Sequence, residues 1–300
     1  MTKFKLANAP CSWGTIENTK GKRIGYRQML DELAESGYMG TELGDWGFMP
    51  TDAVQLKEEL DLRGLELIAS WVSVRLYDKS FHQDGIKQAI KVAKLLARVA
   101  GQDALINIGD DHSTVKNRYQ KTGRISQTDG MDDETWQVYV DGIHKVAQAV
   151  KAETGLAVSF HPHAATYIET PEEIERFLAL TDPNLVGLCF DTGHSLLGGG
   201  EPAKSIIKYA ERIKLIHFKD YSKSIAQDCY AKDYNYTQMI AAGVFSELGQ
   251  GSVDFKAVLK SLAEINYQGW IVVEQDILPG MGQPLKSAVN NYQYLNTIGI

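Results

Sequence analysis

Residues 156–180 read "LAVSFHPHAATYIETPEEIERFLAL". The stretch opens as a short apolar run, LAVSFH, with the length and composition of a strand. It closes as a helix, with Thr170 at the N-cap, Pro171 at the first helical position and acids in the first turn. Between the two stand His161 and His163. Side chains alternate across a strand, so both imidazoles share a face if the extended backbone persists that far. Strand, polar connection and helix make one βα unit, and the number of such units decides the fold.

The unit recurs along the whole chain. Short apolar strands are expected at 4–9 (FKLANA), 40–43 (GTEL), 66–72 (ELIASWV), 104–109 (ALINIG), 156–161, 186–191 (VGLCFD), 213–218 (IKLIHF) and 270–275 (WIVVEQ). Helical patterns such as YRQMLDELAESG and IKQAIKVAKLLARVAG lie between them, several ending in Gly as helix C-termini do. Eight units point to an α/β fold of the (β/α)8 TIM-barrel type, with residues 1–300 as a single domain. A doubly wound open sheet is the alternative, but no Gly-rich phosphate loop follows the first strand. Two connections are long, at about 110–132 and 221–252. Both are expected over the C-terminal face as functional covers. The run GGG at 198–200 lacks a P-loop context and reads as a flexible turn.

The composition narrows the function. Hydrophobic residues make up 44% and charged residues 23%, as in an ordinary globular protein with a sizeable core. A net charge of −7 repels phosphate backbones and argues against nucleic acid as partner. Cys11, Cys189 and Cys229 are few and widely spaced, with no disulfide framework. No apolar run reads as a secretory signal or a membrane span, so a cytoplasmic protein without a membrane partner is expected.

A barrel carries its site where the strands end, at the C-terminal face. The fifth strand ends at His161, with His163 beyond it. The sixth ends in CFDTGH, with Asp191 and His194. The seventh ends in IHFKD, with His217, Lys219 and Asp220, and the eighth in VVEQD, with Glu274 and Asp276. The second ends with Glu42 and Asp45. A lone His or Asp at a strand end is more often a hydrogen-bonded structural residue. Four successive strands ending this way are better explained by a divalent metal site, since imidazole and carboxylate together suit Zn, Mn, Co or Fe. Metal-free catalysis by an imidazole–carboxylate pair is the competing reading. His82, His112 and His144 are expected on the surface. Trp13, Trp46 and Trp71, at the ends of the first three strands, read either as core or as an apolar wall for a sugar-like ring.

The segments NAPCSWG (8–14), ELGDWGFMP (42–50), SFHPHAATYIET (159–170), GLCFDTGHSLLGGG (187–200), HFKDY (217–221), GVFSELGQGSVDF (243–255) and GWIVVEQD (269–276) together resemble the myo-inosose-2 dehydratases of inositol catabolism. That family sits among the xylose-isomerase-like barrels, and the similarity covers nearly the whole chain in order. The resemblance implies a divalent metal, Mn²⁺ or Co²⁺ before Zn²⁺, and loss of water from 2-keto-myo-inositol to give a trihydroxycyclohexane-1,2-dione. Carried over by position, the ligands are Asp191, His217 and Glu274, with His161 where the wider group has a Glu before Pro. Glu274 or His163 is then expected as base and Lys219 or His194 as acid. Trp13, Glu42, Trp46 and Trp71 are expected on the cyclitol. The chain departs from the family at Asp45 and Ala165, where Pro and Gly are usual, and in a shorter acidic stretch after the last strand.

Other readings share parts of this pattern. A keto-sugar isomerase or epimerase would use the same metal and barrel. A metal-dependent endonuclease would want a basic groove and further His ligands. A non-catalytic sugar-binding barrel would keep the tryptophans and need no metal. Barrels of this size often associate, so a homo-oligomer is expected.

Overall fold

The structure is a computed structural model that describes residues 4–16 and 19–300. Strands β1 (Lys5–Asn8), β2 (Gly40–Glu42), β3 (Glu66–Ser73), β4 (Leu105–Gly109), β5 (Ala157–Phe160), β6 (Val186–Asp191) and β7 (Ile213–Phe218) follow in chain order. After them come β8 (Asp220–Tyr221), β9 (Phe245–Ser246) and β10 (Trp270–Val273). Among the described residues, eight parallel strands close in the order β1-β10-β7-β6-β5-β4-β3-β2. β8 and β9 form a separate antiparallel ribbon. The eighth expected strand is therefore β10, and the fold is the (β/α)8 barrel.

Alternation along each strand sorts its residues. Leu188 and Phe190 of β6, and Ile216 and Phe218 of β7, face outward into the apolar layer beneath the helices. Cys189, Leu215 and Val272 face inward with Ala7 and Ala69. Moving two residues on from Ser159, Cys189, Leu215 and Val272 reaches His161, Asp191, His217 and Glu274. All four polar residues thus lie on the inward face at one end of the barrel. The interior just below them is not purely apolar. Ser159 donates to Asn107, and Asn107 Nδ2 donates to Glu42 Oε1 at 3.2 Å.

The helix over residues 171–180 forms as the sequence implies. Thr170 caps it, Pro171 opens it, and Glu173 reaches back to the Thr170 amide to complete a capping box. Glu173 also takes both ends of the Arg118 guanidinium at 2.7 Å, which ties the segment after β4 to the segment after β5.

The connection over 221–252 is more structured than a loop. It contains helices Lys223–Ala231 and Tyr236–Ala241 and its own buried cluster, including Tyr221, Tyr236, Met239, Ile240 and Phe245. Ala164 and Ala165 pack into that cluster from the β5 side. Ala165 holds φ at 66°, a left-handed conformation that costs a non-glycine residue about 1 kcal/mol and explains why Gly is usual there. The run GGG follows the helix at 192–197 as a turn, with Gly199 at φ 90°. A Cβ on Gly198 would stand 2.1 Å from the Glu169 carbonyl oxygen.

One buried acid has a consequence for stability. Asp110 follows β4 and is fully buried; one oxygen accepts from the Asp111 amide, while Oδ2 makes no hydrogen bond. Burial pushes its pKa up to about 8, against roughly 3.9 for an unfolded Asp. Between those values the folded chain holds a proton that the unfolded chain has released. This group's contribution to stability is therefore fullest near pH 4 and is lost as pH rises towards 8, by at most about 1.4 kcal/mol per pH unit, while the buried neutral histidines, His163 among them, act in the opposite sense. Asp110→Asn is expected to weaken that fall, which urea midpoints at pH 5 and pH 8 would measure. An equal fall in parent and variant would show that Asp110 is not the source.

Candidate active site

The strand ends meet in a cavity lined by residues including Cys11, Glu42, Trp71, His112, His161, His163, His217, Lys219, Tyr236, Glu274 and Asp276. At its floor, His161, Asp191, His217 and Glu274 each bring one nitrogen or oxygen within 4.8 Å of the others. His161 Nε2 lies 3.1 Å from His217 Nδ1, and His217 Nδ1 lies 3.2 Å from Glu274 Oε2. Asp191 Oδ2 stands 3.8 Å from His161 Nε2 and 3.9 Å from His217 Nδ1.

These donors fit a divalent cation. Asp191 uses Oδ1 to accept the His194 amide at 2.7 Å, which leaves Oδ2 buried without a hydrogen-bond partner. A buried carboxylate oxygen is costly in that state, and burial raises the Asp191 pKa to about 6. His217 is oriented from behind, with Nε2 2.9 Å from Glu42 Oε1, so that Nδ1 faces the cluster. A carboxylate behind an imidazole is the usual support of a metal-binding histidine.

Lys219 lies beside this floor and is almost wholly buried. Its Nζ is 2.9 Å from Asp276 Oδ1, 3.0 Å from Glu274 Oε2 and 3.0 Å from His194 Nε2. An ammonium has three N–H donors, and here each finds an acceptor. Burial opposes its charge, but Asp276, Glu274 and Asp191 outweigh burial and hold the Lys219 pKa well above that of an ordinary lysine. Asp276 also accepts from the Tyr236 hydroxyl at 3.1 Å, linking the 221–252 connection to the floor.

His163 stands above the floor. Its Nδ1 donates to the Ala164 carbonyl at 2.7 Å, which leaves the lone pair on Nε2. Burial, together with His112 and His161 nearby, keeps its pKa well below the ordinary histidine value, so the ring is neutral near pH 7. The ring centroid lies 5.6 Å from Trp71 and 5.6 Å from Tyr236.

Several expectations are corrected. His194 is buried beside the floor, with Nε2 3.0 Å from Lys219 Nζ. Of the four residues expected on the substrate, Trp71 lines the cavity. It is placed there by Gly109, where a Cβ would collide with the indole at 1.8 Å. Glu42 reaches the cavity but is engaged with His217 and Asn107. Trp13 is buried in the layer under the helices, donating to Glu32 at 2.7 Å. Trp46 packs under Lys91 in a separate groove outside the barrel, although Gly44 and Asp45 just before it line the cavity. His82 and His112 are buried and not on the surface. His82 bonds the Leu76 carbonyl at 2.8 Å, and His112 lines the cavity 5.7 Å from His163. His144 is partly buried and accepts the Asp182 amide. Tyr236 belongs to the segment expected as a cover, whereas His112, Asp276 and Cys11 carry no functional role in the sequence reading. Asp276 was visible as a strand-end acid, whereas Tyr236 and His112 lie on segments whose path no local pattern reveals.

No helix among the described residues is long and apolar enough to cross a membrane. The sequence profile of the xylose isomerase-like TIM barrel family matches residues 30–295. The inosose dehydratase of Clostridium botulinum (strain Alaska E43 / Type E3) is 30% identical over 294 residues, spanning 98% of this chain and 96% of that protein. The inosose dehydratase of Geobacillus kaustophilus (strain HTA426) is 31% identical over 297 residues, spanning 98% and 94%. Among solved structures, the 3-keto-D-glucoside 4-epimerase of E. coli superposes with a TM-score of 0.71 over 98% of this chain and 100% of its own. At 19% identity that likeness speaks to fold alone.

Proposed function

The chain belongs to the xylose isomerase-like TIM-barrel family and, within it, to the inosose dehydratases, and on that premise we propose that it removes water from 2-keto-myo-inositol to give a trihydroxycyclohexane-1,2-dione. The observation that carries the reading is the pairing, in one cavity, of a four-donor floor with a buried ammonium and a neutral imidazole. His161, Asp191, His217 and Glu274 would hold the cation, Mn²⁺ or Co²⁺ in preference to Zn²⁺. Bound there, it supplies Lewis acidity to a ketone oxygen.

The protein's own groups supply the proton transfers. Elimination needs a base for the hydrogen on the carbon next to the ketone and an acid for the hydroxyl that leaves. His163 Nε2 carries a lone pair and is the base. Lys219 carries the proton that turns the departing hydroxyl into water. With Glu274 turned to the cation, Asp276 and His194 would still hold Nζ in place and its third N–H would face the leaving hydroxyl. Glu42 keeps His217 turned to the floor, and Trp71 offers an apolar face to the C–H side of the ring. Tyr236 and the rest of the 221–252 cover exclude bulk water.

The test is direct. Purified protein loaded with Mn²⁺ or Co²⁺ is incubated with 2-keto-myo-inositol, and the dione is followed by absorbance and by loss of one water in the mass spectrum. Unchanged inosose together with epimerisation of a linear keto-sugar would replace this reading with an epimerase. A protein that binds the cyclitol and turns over neither substrate would be a sugar-binding barrel.

A further inference from the structure

His163, His194 and Asp276 form a second group whose donor atoms lie within 4.8 Å of one another, directly beside the first floor. Two imidazoles and a carboxylate are a usual ligand set for a divalent cation. Glu274 would complete it as a bridge. Its Oε2 belongs to the first cluster, 3.2 Å from His217 Nδ1, and lies 3.0 Å from the Lys219 Nζ that also contacts His194 and Asp276. Shared carboxylates of this kind join the two ions of binuclear sites.

The place between these groups is taken. Lys219 Nζ contacts three acceptors that a second ion would use: Asp276 Oδ1 at 2.9 Å, His194 Nε2 at 3.0 Å and Glu274 Oε2 at 3.0 Å. We propose that the Lys219 ammonium is a tethered cation standing in a second metal position, so that the site holds one ion where its ligands could hold two. The inference rests on the metal reading above and deepens it. The choice of cation has a chemical consequence. An ammonium and a metal ion both neutralise the carboxylates around them, but only the ammonium can hand a proton to a leaving hydroxyl. Filling this position with Lys219 converts a second Lewis-acid position into a proton donor. The buried carboxylates still need a cation there, so removing the lysine leaves a vacancy that attracts one.

The experiment is a metal count. Parent, K219A and K219A/H194A proteins are equilibrated with Zn²⁺, dialysed and measured for zinc per chain by elemental analysis. One ion in the parent, two in K219A and a return to one in K219A/H194A are expected. An anomalous-scattering peak in K219A crystals should lie between His163, His194 and Asp276. One ion or none in K219A, or two in the parent, would overturn the proposal. None in the parent would instead sink the metal reading itself. K219S, which keeps a small polar group at the same position, carries the same expectation of two ions if K219A does not fold.

Discussion

Asp191→Asn and His217→Ala are expected to leave purification without metal and with turnover reduced by more than about a hundredfold, since even residues that only support ligands cost about 10- to 100-fold. Asp191 holds its place through Oδ1 on the His194 amide, while Oδ2 points into the floor with no hydrogen-bond partner. In the Asn variant the amide oxygen keeps the bond to the His194 amide, and the NH₂ group then faces the cation site with donors in place of a lone pair. His217→Ala removes the Nδ1 donor and frees Glu42 from the partner that now occupies it. The fold should survive both changes. The barrel is held mainly by the apolar layer between strands and helices, to which neither residue belongs. Elemental analysis and far-ultraviolet circular dichroism measure the two halves of this expectation. Full metal content in both variants would mean that the floor is not a metal site.

His163→Ala is expected to do the opposite: keep its metal and lose turnover. Its nitrogens are not in the four-donor floor, and its Nδ1 is spent on the Ala164 carbonyl. Losing a positioned base costs about 10²- to 10⁴-fold in rate. The loss should fall on kcat more than on KM, because the ring is proposed to act on the reacting hydrogen and not to hold the substrate. Metal content measured alongside the kinetics separates base from ligand. If His163→Ala empties the site and His161→Ala stays loaded, the two histidines have exchanged roles.

Much of the molecule is readable in one dimension because its rules are local. Strands such as 186–191 and 213–218 form at the bounds their apolar runs imply, since a buried parallel strand must be apolar on both faces. The helix at 171–180 begins at its capping box because the first turn needs partners for its amides. Strand alternation places His161, Asp191, His217 and Glu274 on one inward face, and parallel neighbours bring their ends together. Periodicity therefore carried the site's position along with the fold.

What the amino-acid sequence determined by itself was thus the barrel, the end at which the candidate site lies, and the residues that regular backbone delivers there. The tertiary structure alone decided which nitrogen of His217 faces the floor, because Glu42, 175 residues away in sequence, takes the other one. It also decided that Lys219 fills a position between Asp276, Glu274 and His194, and that Trp13 and Trp46 turn away from the cavity while Trp71 enters it. The physical reason is one of range. Secondary structure and facing follow from neighbours within a few residues, whereas a side chain's partners depend on loops whose paths are set by packing against distant parts of the chain.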